Sequence, residues 1–508
     1  MQTYSGGGPG FTLSLANEEA TRRFAADLAN MLQPGDFIAL AGDLGAGKTT
    51  FARAMIASLA NDAAIEVPSP SFTLVQHYDL PRLRVVHADL YRLVGAEELA
   101  ELGLEENADA VVVMEWPDRA GSTLPEDRID ITFTLNPRGG IERRMVHISG
   151  HGAATVRVDR LGAMLGLLEE AGLAAAKRVR IAGDASTRSY DRLFCDGKRF
   201  ILMNAPRRPD GPPIKRGLPY SAIAHLAEDV KPFVAIANGL RERGFSAPNI
   251  FAADHDAGFL VLEDLGTELV VAGDPSSPIP ERYERATDVL IELHRRDLPD
   301  VLPVAPHAEY RIPPYDLDAF LIEVELLIDW YLPFRGVPAT AETRAQFLSL
   351  WRDALRPALD APKTWVLRDF HSPNLLWLEG RAGVAQIGLL DFQDAVLGSV
   401  AYDVASLLQD ARVDVTEKLE AALFERYVQG RCAHDPDFDT NAFTQLYATL
   451  AAQRATKILG IFARLNHRDG KPQYLQHLPR VYACVRRDLR HPALAALSDW
   501  YLSHVPPP

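Results

Sequence analysis

The sequence predicts a small α/β domain followed by a bilobal α+β domain whose C-terminal lobe is largely helical. The length of 508 residues exceeds what one hydrophobic core normally serves, so two or more domains are expected. Short apolar runs alternate with helical stretches up to about residue 144, which is typical of a parallel sheet flanked by helices. Long amphipathic patterns dominate after about residue 280, and these favour helices.

Composition and charge favour a folded cytoplasmic protein. Hydrophobic residues make up 47% of the chain and charged residues 24%, as in ordinary globular proteins. The formal net charge of −15 argues against direct nucleic-acid binding, because phosphate backbones are bound mainly by clustered Lys and Arg. No apolar run is long enough to span a bilayer, so no membrane contact is expected. The three scattered cysteines suit a reducing compartment and predict neither a disulfide framework nor a zinc site.

The first domain is predicted to span residues 1–150. Its expected strands are DFIALAG, LRVVHADL, AVVVMEW and RIDITFTL. The segments NPRGGIERR and SGHGAA then combine Gly and Pro with little apolar content. Such a change of composition indicates a junction near Gly150 to Ala154.

The second domain is predicted to span residues 151–508, with a small lobe at about 176–265 and a helical lobe at about 280–508. The helical pattern DRLGAMLGLLEEAGLAAA precedes expected strands at RVRIAG, YDRLFCD and RFILMNA, so the small lobe should be rich in β structure. The clearest helices of the large lobe are ERYERATDVLIELHRR and TNAFTQLYATLAAQRATKILGIFARL, whose apolar faces are expected to line its core.

A first phosphate-binding motif follows the strand DFIALAG. Gly42, Gly47, Lys48 and Thr49 fit the pattern G-x-x-x-x-G-K-[ST], in which backbone N–H groups surround phosphate oxygens, the lysine neutralises charge and the hydroxyl binds magnesium. The alternative is a Gly-rich turn with a solvated lysine, but that explains none of the flanking strand and helix periodicity. The predicted ATP-binding residues of this motif are Gly42, Asp43, Leu44, Gly45, Ala46, Gly47, Lys48, Thr49 and Thr50.

A carboxylate after a second strand completes this site. The apolar run from Val111 to Met114 ends at Glu115, where a carboxylate can hold magnesium directly or through water. Together with Thr49, Glu115 is therefore a predicted metal ligand. The guanine-reading pattern N-K-x-D does not occur, so ATP is preferred over GTP.

The first domain resembles the TsaE family, the small ATPases of bacterial threonylcarbamoyl-adenosine tRNA modification. The segments GDLGAGKTT, VPSPSFTLVQHY, HADLYRL, EELAELGLEE, MEWPDR and LPEDR carry the resemblance, in that order, over nearly all of residues 10–145. The resemblance implies an α/β P-loop NTPase fold and a helper role for a complex of threonylcarbamoyl transferase subunits.

The same resemblance assigns roles to individual residues. It implies that Asp43, Asp89 and Glu115 are catalytic, that Ser71 to Thr73 belong to a switch segment, and that Trp116 lies near the nucleotide. From the residues alone, Asp89 could instead cap a turn, Tyr91 could be core, and the Ser69–Pro70 pair could be only a bend.

A second phosphate-handling pattern lies some three hundred residues further along. Asp369 and Asn374 form D-x-x-x-x-N, and Asp391 follows the apolar run IGLL. Phosphoryl transfer to a hydroxyl needs an acceptor for the proton, which suits Asp369, and magnesium ligands, which suit Asn374 and Asp391. Two polar loops with capping Asp and Asn would also produce this pattern, but they would not predict the upstream segment GDASTRSYDRL.

Two segments of the small lobe add to the predicted ATP site. The stretch GDASTRSYDRL offers Ser186, Thr187 and Arg188 as donors to phosphate. The stretch LVLEDLG, which contains Glu263, is predicted to link the two lobes and to meet adenine.

The second domain resembles the aminoglycoside phosphotransferase and choline kinase superfamily from about Val156 to the C-terminus, and most closely its N-acetylmuramate/N-acetylglucosamine kinase branch. The segments GDASTRSY, VLRDFHSPNLLWL and LLDFQDAVLGSVAYDVASLL carry the resemblance. It implies a protein-kinase-like phosphotransferase fold, ATP and Mg²⁺ as cofactors, and an amino sugar as acceptor. It also implies that Asp403 braces the catalytic loop, although a helix N-cap is equally compatible with the residues, and that His371 sets the shape of that loop.

One departure from the family pattern affects the second site. Many of these kinases have a lysine where this chain has Met203, so phosphate charge must be neutralised elsewhere, with Arg188 and Lys215 as candidates. The main hypothesis is a bifunctional chain. The alternatives are a single-function kinase with a regulatory ATPase module, an antibiotic or choline kinase, and a pseudokinase.

Overall fold

The computed structural model describes residues 4–8, 10–62, 64–93, 98, 102–103, 109–121, 123–135, 142–181, 188–207, 211–304 and 308–508. Their packing divides the chain into two compact units. The first unit is Met1–Pro206 with Phe251–Leu262, and the second is Arg207–Ile250 with Glu263–Pro508.

The first unit contains an eight-stranded sheet in the order β1-β2-β8-β7-β3-β6-β5-β4. Its strands are β1 (Tyr4–Gly8), β2 (Gly10–Leu15), β3 (Phe37–Gly42), β4 (Val75–Asp79), β5 (Arg84–Asp89), β6 (Val111–Glu115), β7 (Arg128–Leu135) and β8 (Arg144–His151). The four predicted strands are confirmed, but the prediction of a parallel sheet is wrong for its margins. Only β5, β6, β3 and β7 run parallel to their neighbours in this set, whereas β4, β8, β2 and β1 add antiparallel pairs.

The described residues of this unit form the α-helices α1 (Glu18–Ala29), α2 (Lys48–Ala60) and α3 (Thr155–Glu170). Asn17 caps α1, since its side chain accepts from the Ala20 N–H at 3.0 Å. Between β8 and α3 lies only one short 3-10 turn. The Gly-rich stretch that suggested a junction therefore forms the end of a strand and the entry to a helix.

A second sheet lies in the same unit, in the order β12-β13-β11-β10-β9. Its strands are β9 (Lys177–Ile181), β10 (Ser189–Cys195), β11 (Lys198–Asn204), β12 (Ile250–Asp254) and β13 (Phe259–Glu263). The strands predicted at RVRIAG, YDRLFCD and RFILMNA are therefore present, whereas the lobe bounds of about 176–265 stay a prediction. Buried side chains of both sheets and of α3 form one continuous apolar cluster, which includes Ile131, Leu161, Leu202 and Val261. Because this core is shared, the compact units do not divide the chain at residue 150, and the domain boundary placed there stays a prediction.

Polar contacts reinforce the shared core. Arg160 of α3 donates to the Asn204 side chain at 2.6 Å and to the Ala257 carbonyl, and its guanidinium lies 4.7 Å from the centroid of the Phe259 ring. Arg178 of β9 forms a buried ion pair with Asp27 of α1. Helix α3 and strand β9 thus join the two sheets by specific side-chain contacts as well as by apolar burial.

The second unit is mostly helical, as predicted. Its helices are α4 (Tyr220–Ile223), α5 (Lys231–Glu242), α6 (Pro280–His294), α7 (Leu317–Leu326), α8 (Leu332–Phe334), α9 (Ala341–Asp360), α10 (Ala401–Leu408), α11 (Glu417–His434), α12 (Thr440–Asp469), α13 (Leu478–Asp488) and α14 (Ala495–His504). Its short strands pair as β14 (Val271–Ala272) with β15 (Ser277–Pro278), β16 (Val301–Val304) with β17 (Ala308–Arg311), β18 (Thr364–Val366) with β21 (Val396–Gly398), and β19 (Leu375–Trp377) with β20 (Ile387–Leu389).

Helix α12 is the longest helix of this unit, and much of its surface is buried, from Phe443 to Leu465. Asp439 caps its first turn and Gly470, in the left-handed region, ends it. None of the helices in the described part of the chain has the length and apolar composition that a bilayer crossing needs.

Candidate functional sites

The loop between β3 and α2 has the backbone geometry of a phosphate-binding loop. Gly42, Gly45 and Gly47 have positive φ angles of 131°, 76° and 109°, which only glycine adopts at low cost. A Cβ on Gly42 would also lie 2.3 Å from the Phe133 carbonyl oxygen. Arg144 of β8 supports the loop from behind, because its Nε donates to the Ala46 carbonyl at 3.0 Å. The loop therefore brings its N–H groups to the positive end of α2, where phosphate binds.

The amine of Lys48 donates to backbone carbonyls of the same loop. Lys48 is 4% exposed, and its Nζ donates to the carbonyls of Gly42 at 2.6 Å and Asp43 at 3.0 Å. The same ammonium lies 3.7 Å from the centroid of the Trp116 ring. Burial lowers the pKa of Lys48, while the nearby Glu115 and Asp89 carboxylates oppose that shift. The Lys48 amine thus lies at the place where the loop would meet phosphate.

The predicted metal ligands of the first site are in direct contact. The Thr49 hydroxyl donates to Glu115 Oε2 at 2.8 Å, and His87 Nε2 lies 3.0 Å from Glu115 Oε1. Glu115 is fully buried together with His87. Strands β5 and β6 are paired in parallel, and this pairing brings His87 of β5 close to Glu115 of β6. The same register sets Asp89 opposite Glu115.

The remaining predicted residues surround the mouth of the loop. Asp89 accepts from the Ser69 hydroxyl at 3.2 Å and from the Tyr91 N–H at 3.1 Å, so it caps a turn while facing the site. Tyr91 is not core: it is 45% exposed, and its ring lies 5.1 Å from that of Trp116. Leu44 is 74% exposed, and Thr50 lies in the first turn of α2.

The second candidate site is built at one end of the β19–β20 hairpin. Leu375 pairs with Leu389, so Asn374 and Asp391, one and two residues outside that pair, come to the same end of the hairpin. The Leu390 N–H donates to the Asn374 carbonyl at 3.0 Å, and the Asn374 side chain donates to the Asp369 carbonyl at 3.0 Å. The three predicted residues are therefore brought together by backbone pairing.

Asp369 and Asp391 lie in strained or charged surroundings. Asp391 has a positive φ of 57°, an uncommon conformation for a residue with a Cβ, and its Oδ1 accepts from Gln393 Nε2 at 2.8 Å. Burial raises the pKa of the Asp369 carboxyl, but nearby cations that include Lys457 and Arg368 lower it, and the pKa lies below its usual value. Asp369 is thus ionised at neutral pH, as a proton acceptor must be.

Asp403 holds the backbone that precedes Asp369. Its carboxylate accepts from the Leu367 N–H at 2.6 Å and the Arg368 N–H at 2.9 Å, and it is fully buried in the first turn of α10. This contact agrees with a bracing role rather than an N-cap. Burial raises the Asp403 pKa to about 7, against these two hydrogen bonds.

A buried ionic cluster that the sequence did not predict lies beside the loop. Glu323 of α7 pairs with Arg368 and, at 2.9 Å, with Lys457 of α12, and it accepts from the Tyr315 hydroxyl at 2.5 Å. Burial raises the Glu323 pKa, but the two cations more than compensate and lower it to about 2. No local pattern marks Glu323, since the two cations that pair with it lie 45 and 134 residues away in sequence. By contrast, His87 could have been found from the H-x-D pattern in HADLYRL.

The predicted residues of the small lobe are less completely described. Ser186 and Thr187 lie outside the described residues, and Arg188 stands directly before β10. Met203 is 1% exposed in β11, so it is a core residue. Lys215 pairs with Glu325 at 3.5 Å.

Glu263 is bound by two arginines of the second unit. Its carboxylate accepts from Arg381 at 2.5 Å and lies 3.5 Å from Arg241, and the Asn249 N–H donates to it at 3.2 Å. Its side chain thus has a structural role within this unit.

The donor sets of both sites fit magnesium. Each offers hydroxyl, amide or carboxylate oxygens, the ligands that Mg²⁺ prefers alongside substrate phosphates. In the described residues, no group of three or more His, Cys, Asp or Glu side chains is arranged to hold a metal ion.

Comparisons with known proteins match the N-terminal and C-terminal parts of the chain to two different families. Residues 15–145 match the family described as threonylcarbamoyl adenosine biosynthesis protein TsaE, and residues 177–444 match the phosphotransferase enzyme family. The N-acetylmuramate/N-acetylglucosamine kinase of Caulobacter vibrioides is 38% identical over 366 residues, which cover 69% of this chain and 98% of that protein. The kinase of the same name from Pseudomonas aeruginosa is 34% identical, over 64% of this chain and 87% of that protein. The tRNA threonylcarbamoyladenosine biosynthesis protein TsaE of Rickettsia bellii is 38% identical over 122 residues, 24% of this chain and 84% of that protein.

Proposed function

The chain belongs to the TsaE family through its N-terminal part and to the phosphotransferase enzyme family through its C-terminal part, and from this premise we propose how its two activities are used. It joins an ATPase to an ATP-dependent phosphotransferase. The C-terminal enzyme phosphorylates the anomeric hydroxyl of N-acetylmuramate or N-acetylglucosamine. The N-terminal ATPase supports threonylcarbamoyl modification of the tRNA adenosine next to the anticodon, through a complex of threonylcarbamoyl transferase subunits.

One observation carries the kinase proposal. Asp369, Asn374 and Asp391 converge at one end of the β19–β20 hairpin, the arrangement that transfer of a phosphoryl group to a hydroxyl requires. Asp369 receives the proton of the acceptor hydroxyl, and its side chain remains 38% exposed, so an acceptor can reach it. Asn374 and Asp391 hold magnesium, whose chemistry is to screen charge on the transferring phosphate.

The ATPase proposal rests on the contacts around Glu115. Its carboxylate and the Thr49 hydroxyl, which are in contact, would hold the metal. The Lys48 Nζ, which donates to the Gly42 and Asp43 carbonyls, would neutralise phosphate charge. Asp89 and Asp43 are close enough to influence the charge of Lys48, which supports their assignment to the catalytic surroundings. Trp116 closes the site over that lysine.

Phosphorus NMR of the products tests the kinase. The intact protein with ATP and N-acetylmuramate should yield an anomeric sugar phosphate, and Asp369→Asn should yield none. Asp353→Asn, an exposed carboxylate of α9 whose side chain is 71% exposed, serves as a matched control. A panel of acceptors should be assayed in parallel. If the protein prefers an aminoglycoside or choline, it is an antibiotic or choline kinase and not a sugar kinase. Unchanged phosphate release by Asp369→Asn would indicate a pseudokinase.

A reconstitution tests the ATPase. Threonylcarbamoyl transferase subunits with tRNA, threonine, bicarbonate and ATP should sustain repeated modification only when this protein is added. Lys48→Ala should lose that support, whereas Lys198→Ala, on an exposed hairpin of the same unit, should keep it. If the N-terminal part fails to support modification and Lys48→Ala instead changes sugar phosphorylation, the module regulates the kinase.

A further inference from the structure

His371 follows Asp369 by two residues and is 6% exposed. Its Nδ1 lies 4.0 Å from Asp369 Oδ1, which is too far for a hydrogen bond. This nitrogen is buried and has no hydrogen-bond partner in the structure. Buried polar atoms are nearly always paired, so an unpaired nitrogen that lies close to the proposed catalytic carboxylate requires an explanation.

The other ring nitrogen determines which tautomer is present. Arg412 Nη1 lies 2.9 Å from His371 Nε2. A guanidinium has donors only, so Nε2 must accept this hydrogen bond and carries no proton. The neutral ring then has its hydrogen on Nδ1. His371 therefore presents an unused N–H donor on the side of Asp369.

The surrounding contacts hold the ring in this orientation. The backbone N–H of Arg412 donates to Asp410 Oδ1 at 2.8 Å. Asp410 Oδ2 accepts from the backbone N–H and the hydroxyl of Ser372 at 2.9 and 2.5 Å. The backbone N–H of His371 donates to the backbone carbonyl of Asp369 at 3.0 Å. Asp410 thus ties Arg412 to the residue directly after His371, and the spacing between Nδ1 and the Asp369 carboxylate is set by backbone and side-chain bonds together.

We propose that His371 Nδ1–H donates a hydrogen bond to the acceptor hydroxyl oxygen whose proton passes to Asp369. Two atoms 4.0 Å apart can both lie at hydrogen-bond distance from a single oxygen between them. The inference rests on the proposed kinase function and names a further residue of its acceptor site.

The reaction balances with His371 unchanged. The acceptor oxygen forms a bond to the γ-phosphorus of ATP, the bond from that phosphorus to the β–γ bridging oxygen breaks, ADP leaves, and the hydroxyl proton goes to Asp369. One lone pair of the acceptor oxygen accepts from His371, which leaves the other to attack phosphorus. His371 therefore acts by orienting the nucleophile and neither gains nor loses a proton.

Three substitutions separate this role from a purely structural one. His371→Asn retains a donor near the Nδ1 position and loses the Arg412 partner, His371→Gln retains a group near Nε2 and lacks the Nδ1 donor, and His371→Leu lacks both. Acceptor orientation predicts that kcat for N-acetylmuramate phosphorylation falls roughly tenfold or more in the Gln and Leu variants. The Asn variant should stay closer to the wild type, and the affinity for ATP should be unchanged in all three.

The outcomes distinguish the alternatives. If Gln restores activity and Asn does not, His371 serves only to hold Arg412, and the inference is wrong. Equal kcat values in all variants would also overturn it. If the wild type phosphorylates no amino sugar, the proposed function itself fails, and the inference fails with it.

A measurement on the wild-type protein covers the case in which the variants do not fold. With ¹⁵N-labelled histidine and the intact chain, the His371 signals should show hydrogen on Nδ1. The Nδ1 resonance should shift when N-acetylmuramate is added together with a non-hydrolysable ATP analogue, and should not shift with the analogue alone. A hydrogen on Nε2, or no response to the sugar, would contradict the inference.

Discussion

Asp403 controls the second site from a position outside it. It accepts from the N–H groups of Leu367 and Arg368, directly before Asp369. Arg368 has a positive φ of 66°, a conformation that costs free energy in a residue with a Cβ and persists only where its surroundings hold it. The two hydrogen bonds to Asp403 supply that support.

Asp403→Asn should therefore impair catalysis while leaving ATP binding nearly intact. The amide can accept only through its oxygen, so one backbone N–H loses its partner, at a cost of about 1–3 kcal/mol in the free energy of unfolding. We expect kcat for sugar phosphorylation to fall about tenfold or more, measured by coupled assay beside a chemical unfolding curve. A kcat equal to that of the exposed Asp353→Asn control would contradict the supporting role of Asp403.

Glu115 combines two contacts that the first site needs. It accepts from Thr49 at 2.8 Å and lies 3.0 Å from His87. Glu115→Gln keeps the shape of the side chain but removes the charge that favours magnesium. ATP hydrolysis should drop by a factor on the order of 100, with nucleotide binding, followed by fluorescence of a labelled ATP analogue, weakened far less. The exposed Glu126→Gln should behave as the wild type, and retained hydrolysis by Glu115→Gln would refute the metal role.

Helix α12 packs against the last residue of α7 through a glycine, Gly460. A Cβ on Gly460 would lie 2.3 to 2.5 Å from the backbone and Cβ of Leu326, so the helices would have to separate. Gly460→Ala should lower the free energy of unfolding of the second unit by about 1–3 kcal/mol, more than the gain of about 1 kcal/mol in helix propensity.

The matched control is Gly430→Ala in α11. Its Cβ would meet Ile291 side-chain atoms at 2.6 to 3.1 Å, and a side chain can rotate away where backbone cannot. Chemical denaturation of both variants should therefore show the larger loss for Gly460→Ala. Equal losses would mean that α12 and α7 adapt more readily than their packing indicates.

Burial of the Asp27 carboxyl on α1 makes the stability of the first unit depend on pH. Burial raises the pKa of Asp27 to about 6 from 3.8, against the charge of Arg178. A carboxyl whose pKa is higher in the folded state contributes stability that is fully present below pH 3.8 and is lost as pH rises through about 6. Relative to Asp27→Asn, the wild-type unit should lose roughly 1–2 kcal/mol between pH 5 and pH 8. Urea unfolding of both proteins across this range measures the difference, and a constant difference would contradict the shift.

On the scale of the whole molecule, the two proposed nucleotide sites differ in construction. One uses backbone N–H groups before α2, and the other uses side chains at the end of the β19–β20 hairpin. Titration of the full chain with a non-hydrolysable ATP analogue should therefore saturate at two equivalents, by calorimetry. Lys48→Ala and Asp391→Ala should each leave about one, and each should spare the other activity. A wild-type stoichiometry of one would refute the two-site account.

By itself the sequence determined the order of the two catalytic modules, their families and most of the proposed catalytic and metal residues. Contiguous motifs such as GDLGAGKTT and RDFHSPN carry this information because a phosphate-binding loop or a catalytic loop is a local structure whose geometry neighbouring residues set. Strand and helix periodicity likewise predicted the β-rich lobe and the long helices, since each reflects one buried face.

Only the tertiary structure decided which distant residues support those motifs. Asp403 and Leu367 are 36 residues apart, His87 and Glu115 are 28 apart, and Arg178 and Asp27 are 151 apart. It also decided that α3 joins two sheets in a single core, where composition had suggested a junction. The physical reason is that these contacts arise when separate elements pack against one another, and packing partners leave no periodic or contiguous signal in the chain.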